Sequence, residues 1–243
     1  MPSADIILSV EGLTREISKE GRLKAIVDRF TFEFRECKSY TVLGPSGAGK
    51  SSLLRLLNRL DEPSGGRVFY KGKDICELSP PTLRCRIGYL FQTPHLFNGT
   101  VRENIRFARA ELSGEDTDRL AEQCRIKSEL MDRDVTHLSV GEKQRVALAR
   151  LMATDPDVAL LDEPTSSLDP TNTKAVETLV KGLVQSCRLT VIMVTHDPNQ
   201  ALRVGGEALL MVDGRLVESG SAETIVTDPQ TEEARRYKNR EST

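Results

Sequence analysis

The chain has 243 residues, 38% of them hydrophobic, long enough for one large domain or for one core with a subdomain. With 34 basic against 36 acidic residues the net charge is −2, so no global basic field points to nucleic acid as a partner. No run approaches about 18 apolar residues, which excludes a bilayer-spanning helix. Met1-Pro2-Ser3-Ala4-Asp5 lacks the basic-then-apolar order of a signal peptide, and the five scattered cysteines (Cys37, Cys76, Cys85, Cys124, Cys187) read as reduced thiols of a cytosolic protein.

Ile6, Leu8 and Val10 alternate with Ile7, Ser9 and Glu11, which predicts a first strand. Lys19-Glu20-Gly21 reads as a turn. Phe30, Phe32 and Phe34 alternate with Thr31, Glu33 and Arg35 as a half-buried strand, so the chain opens on an antiparallel sheet. Residues 40–43 read as a buried strand and residues 52–57 as a helix. Between them Gly44-Pro45-Ser46-Gly47-Ala48-Gly49-Lys50-Ser51 fits G-x-x-x-x-G-K-[ST], in the strand–loop–helix context of a phosphate-binding loop. The glycines let backbone N–H groups turn toward one point, and the helix start adds its positive dipole end. These residues and Ser52 are the candidate nucleotide-binding set. Lys50 is placed to reach the β- and γ-phosphates, and the Ser51 hydroxyl to ligate Mg²⁺.

Pro63-Ser64-Gly65-Gly66 then breaks the chain, and residues 67–70 and 74–75 flank Lys71-Gly72 as a small hairpin. Residues 87–91 form a short apolar strand ending at Gln92. From 93 to 154 strand patterning gives way to helical signals. Thr100-Val101-Arg102-Glu103 and Ser139-Val140-Gly141-Glu142 both fit capping boxes, with a charged helical stretch over 114–126 between them. The pattern predicts one domain: a nucleotide-binding core over 1–92 and 155–225, a helical subdomain over 93–154, and a charged tail over 226–243. From Asp228 that tail reads as a loosely held helix or a disordered end.

Residues 158–161 read as a buried strand running into Asp162-Glu163. A carboxylate at such a strand end lies beside the phosphate loop in a parallel sheet. Asp162 is thereby a candidate to hold Mg²⁺ through its water shell, and Glu163 to polarise the attacking water. Asp169-Pro170 opens the next helix. Residues 190–195 form a buried strand ending at His196, and Asp213-Gly214 signals a hairpin.

Leu138-Ser139-Val140-Gly141-Glu142-Lys143-Gln144-Arg145, taken with the phosphate loop and Asp162-Glu163, resembles the ATP-binding-cassette (ABC) ATPases over residues 6–220. The resemblance implies an α/β fold, a P-loop NTPase core with an N-terminal antiparallel β subdomain and an inserted α-helical subdomain. It implies ATP and Mg²⁺ as ligands. Gln92 becomes the Q-loop residue, near Mg²⁺ and the membrane-domain contact. Ser166-Ser167-Leu168-Asp169 becomes the D-loop, and His196 the switch histidine that contacts the γ-phosphate. Ser139 and Gly141 become the signature residues nearest the phosphate of a second subunit, Ser139 capping a helix whose free N–H groups bind it. Two subunits then sandwich two ATPs head to tail, as a homodimer or paired with a similar ATPase. They drive an integral-membrane permease that is a separate chain, from the cytoplasmic face of the cell membrane.

The signature departs from the usual L-S-G-G-Q: it reads L-S-V-G-E, with Val140 and Glu142 as the changes. No aromatic residue precedes Phe30, and Ile17 stands where the family stacks a ring on adenine. His95, Leu96 and Phe97 form either the permease contact patch or a loop that tucks Phe97 into the helical subdomain. L-S-V-G-E with Phe-Gln-Thr-Pro-x-Leu-Phe looks most like the branch linked to iron or other metal export. ATPases of phosphate and amino-acid importers also look similar. Outside transport, an iron–sulfur assembly ATPase and a small-molecule kinase are the alternatives.

Overall fold

A period of two along Phe30, Phe32 and Phe34 demands one apolar face. Phe30 and Phe34 are fully buried, Phe32 is partly buried, and Thr31 and Glu33 are exposed. These residues belong to a computed structural model that describes residues 5–19, 22–166, 168–187 and 189–241. The Glu20-Gly21 part of the predicted turn, and Ser167 of the D-loop, lie outside the described residues.

The chain opens with β1 (Ile6–Lys19) and β2 (Arg22–Arg35), paired antiparallel. β3 (Ser39–Leu43) runs through the phosphate loop into α1 (Lys50–Leu57). β4 (Gly65–Tyr70) and β5 (Lys73–Asp74) make the predicted hairpin. The strand starts at Gly65, which pairs with Thr14, so the two glycines read as a break are strand residues. Ile75 instead begins a short 3₁₀ turn capped by Asp74. α2 (Pro80–Arg86) was not anticipated: Ser79 caps it, but Leu83 is its one buried side chain, too few for a helical period. β6 (Ile87–Leu90) follows.

Between β6 and the next strand every described regular element is helical, namely α3 (Val101–Arg106), α4 (Gly114–Gln123), α5 (Val140–Met152) and two 3₁₀ turns. Both predicted capping boxes are formed: Thr100 with Glu103, and Ser139 with Glu142. Then come β7 (Val158–Asp162), α6 (Pro170–Cys187), β8 (Thr190–Val194), α7 (Pro198–Val204), β9 (Glu207–Val212), β10 (Arg215–Ser221), α8 (Ala222–Thr227) and α9 (Glu232–Glu241).

Two sheets result. One is antiparallel, ordered β2-β1-β4-β5; the other is ordered β10-β9-β3-β8-β7-β6, parallel except for the β9–β10 hairpin at its edge. Strands buried on both faces read as unbroken apolar runs. On β7, Val158 and Leu160 join α1 and the antiparallel sheet in one core, while Ala159 and Leu161 join α5 and α6 in a second. At the hairpin turn Asp213 and Gly214 take φ of 46° and 82°, as a type I′ turn requires. The Gly214 N–H donates to the Ala48 carbonyl at 3.0 Å, so this turn rests against the phosphate loop.

Of the charged tail, the described residues to 241 include the expected helix, but it is packed rather than loosely held. α9 seats Ala234 and Tyr237 in a third core with Leu43, Ala201, Leu210 and Ile225. Glu218 accepts the backbone N–H groups of Gln230 and Thr231 just before it. Two apolar residues one helical turn apart make the stripe, and averaging over their charged neighbours hides it.

Candidate active site

The phosphate loop leaves β3 at Gly44 and enters α1 at Lys50. Gly44 has φ 148° and Gly49 φ 95°; a Cβ at either would stand 2.0 Å from a backbone oxygen, of Met211 and Ile26 respectively. Only glycine fits so close an approach. The Lys50 ammonium, 5% exposed, donates to the carbonyl oxygens of Gly44 at 2.6 Å and Pro45 at 2.9 Å, lying back along the loop. Ser46, Gly47, Ala48, Gly49, Lys50, Ser51 and Ser52 line a cavity of about 570 Å³ together with Ile26, Gln92, Glu163 and His196. The N-terminal N–H groups of α1 open toward it, which suits an anion.

Asp162 ends β7 and is nearly buried. The Ser51 hydroxyl donates to its Oδ1 at 2.7 Å, and the Tyr89 hydroxyl to its Oδ2 at 2.7 Å. For Mg²⁺ this donor set fits: hydroxyl and carboxylate oxygens are the hard ligands the ion takes, beside a loop shaped for phosphate. Burial, reinforced by the Asp162 charge, pushes the Tyr89 phenol up, so it remains a neutral donor. Glu163, next in the chain, adopts a left-handed backbone with φ 42°, strain of about 1–3 kcal/mol at a turn that aims its side chain into the cavity. Its Oε2 lies 3.3 Å from His196 Nδ1 and accepts from the Gln92 amide at 3.5 Å. Gln92 also donates to the Ser166 hydroxyl at 3.2 Å. The structure therefore brings Lys50, Ser51, Gln92, Asp162, Glu163 and His196 to one place. Gln92 sits against Glu163 and Ser166 rather than on the Ser51–Asp162 pair.

Ser139 and Gly141 stand apart, outside the lining of that cavity. Ser139 is exposed at the start of α5, and Val140 beside it is 49% exposed. Glu142 accepts the Ser139 N–H and hydroxyl, both at 2.8 Å, and these contacts hold its carboxyl below the usual range. Gly141 packs beside α6: a Cβ there would stand 3.2 Å from Asn172 Cγ.

Ile17 is exposed on the β1–β2 hairpin and Ile26 lines the cavity instead. Ile26 and Tyr89 are the site residues that sequence reasoning missed, and Ser166, expected as part of the D-loop, adds a contact to Gln92. Tyr89 alone left a signal, a polar-tipped ring in a buried strand, whose hydroxyl must find a partner.

The loop after Gln92 divides the predicted contact patch. Leu96 packs inward on the helical core, while His95 and Phe97 line an open groove of about 670 Å³. Phe97 is 47% exposed, stacked on Phe107 at 3.8 Å with the Arg150 guanidinium 5.0 Å from its ring centre. It is therefore not tucked into the helical core.

The model of the family described as ABC transporter matches residues 27–166. "Protein STAR1" of Oryza sativa subsp. japonica is 40% identical over 215 residues, 87% of this chain but 62% of its own length. "ABC transporter I family member 17" of Arabidopsis thaliana is also 40% identical over 215 residues, covering 87% of this chain and 81% of its own. Among solved structures, CbiO1 of Clostridium perfringens, described as part of the ABC transporter complex CbiONQ, superposes with a TM-score of 0.81 at 28% identity over 92% of each chain. With the family match spanning more than half of its residues and the site built as described, this chain belongs to the ABC transporter family, as an ATP-binding cassette of the ATPase type.

Proposed function

We propose that this chain hydrolyses ATP with Mg²⁺ as the nucleotide-binding subunit of a transporter, closing as a head-to-tail dimer and driving a separate membrane permease. One observation carries the reading. Lys50, Ser51, Gln92, Glu163 and His196 line one cavity with Asp162 bonded behind Ser51, while the Ser139 helix start, equally suited to phosphate, lies exposed outside it. A second copy brings Ser139 and Gly141 to the open face of that cavity.

In this mechanism the loop N–H groups and Lys50 hold the β- and γ-phosphates. Ser51 and Asp162 would hold Mg²⁺, which would supply positive charge to offset that of the phosphates. Glu163 polarises the attacking water, with His196 fixing the carboxylate from the far side and meeting the γ-phosphate. Gln92 bridges Glu163 to the loop of His95 and Phe97, whose groove receives the permease. CbiO1's place in a transporter complex supports that partner. The reading divides the domain into a nucleotide core over 1–92 and 155–225, a helical part over 93–154 carrying Ser139, and a C-terminal segment over 226–243. Metal or iron export as the cargo rests on the resemblance of L-S-V-G-E and the Phe91–Phe97 loop alone.

Light scattering of Glu163→Gln, with and without ATP–Mg²⁺, tests this function. The expected result is a monomer that becomes a dimer only with ATP, because binding persists while hydrolysis stops. A monomer at saturating ATP–Mg²⁺, alone and when co-expressed with the permease, would overturn the composite site.

A further inference from the structure

Asp162 is held from two sides, and only one of them belongs to the phosphate loop. Ser51 Oγ donates to Oδ1 and Tyr89 Oη to Oδ2, each at 2.7 Å. Strand register explains the second contact. Tyr89 of β6 pairs with Leu160 of β7, and Asp162 follows two residues on, on the same face of the sheet. The carboxylate is 8% exposed, so water competes little for either oxygen. The Tyr89 ring is held independently of its hydroxyl: it packs on Phe91 at 4.7 Å and lines the groove with Arg84 and Phe97.

We propose that Tyr89 is a positioning residue for the magnesium site, fixing the rotation of the Asp162 carboxylate so that Oδ1 stays turned toward Ser51. The inference rests on the assignment of Ser51 and Asp162 to Mg²⁺ made above. A carboxylate bonded by Ser51 alone rotates about its Cβ–Cγ bond, a broad torsion with little intrinsic preference. With the Tyr89 O–H on the opposite oxygen that rotation breaks a hydrogen bond in a site of low dielectric. Partners behind a metal ligand act in this way, and losing one weakens metal binding by about 10-fold or more.

Tyr89→Phe removes the hydroxyl and keeps the ring. The readout is the affinity for a β,γ-imido ATP analogue, measured with Mg²⁺ and again with a chelator, for the parent and the variant. The ratio of the two affinities reports how strongly metal and nucleotide support each other. The expected result is a ratio about 10-fold smaller in Tyr89→Phe, with the metal-free affinity within about 2-fold of the parent. An unchanged ratio overturns the proposal. So does an equal loss in both conditions, which marks Tyr89 as a support of the fold alone. A parent indifferent to Mg²⁺ overturns the Ser51–Asp162 assignment and this inference with it. A parent that binds no nucleotide overturns the ATPase reading.

Discussion

Lys50 is a buried cation leaning on two carbonyl oxygens of its own loop. An incoming phosphate meets a cation already lying along the loop and shielded from water, where a charge-assisted hydrogen bond is strong. Lys50→Ala should weaken ATP binding by about 2 kcal/mol, roughly 30-fold, measured by equilibrium titration with a fluorescent analogue. Undiminished affinity would remove Lys50 from the phosphate site. At this scale the sequence was readable where a motif marks the residue: Lys50 closes the glycine loop, Asp162 and Glu163 end an apolar strand, and Gln92 and His196 were implied by the family resemblance. Tyr89 was hidden because its contact depends on which strands pair and on the register of that pairing. Counting back from the loop to Ile17 failed for a related reason. β1 and β2 carry several register shifts, so the residue that arrives at the cavity is Ile26.

Elements declared themselves when their ends carried chemistry. The two capping boxes were legible before any contact was known, since Thr100 and Ser139 each find a glutamate three residues on. α2 was not, and α9 was legible only as a loosely held helix or a disordered end, because one or two buried side chains leave no period to read. The box at α5 also has a titration. The carboxyl of Glu142 lies below its ordinary range, held there by the Ser139 N–H and then its hydroxyl. A depressed pKa means stabilisation that is fully present above the unfolded glutamate's pKa and is lost as pH falls through the native one. Glu142→Ala should cost about 1 kcal/mol at neutral pH. The gap in melting temperature from the parent should close as pH drops below the carboxylate range. A gap that persists in acid would mean that packing, not the ionised cap, explains it.

The whole molecule places its chemistry by strand order. β3, β8, β7 and β6 lie side by side, and their C-terminal ends deliver the phosphate loop, His196, Asp162-Glu163 and Gln92 in turn. The α5 start leaves Ser139 outside that row, so one copy holds half of each proposed site. If the halves complete each other head to tail, two different defects can be complementary. Lys50→Ala spoils the loop and keeps the signature; Ser139→Arg keeps the loop and blocks the signature with bulk and charge. Each variant alone should hydrolyse ATP near background. Mixed in equal amounts they should recover about a quarter of the parent's intact sites, because random pairing makes about half of the dimers mixed and each mixed dimer has one unspoiled site. A steady-state ATPase assay of the mixture, against each variant at the same total concentration, reads this directly. A mixture no more active than its components would mean that Ser139 serves the site of its own chain, or none.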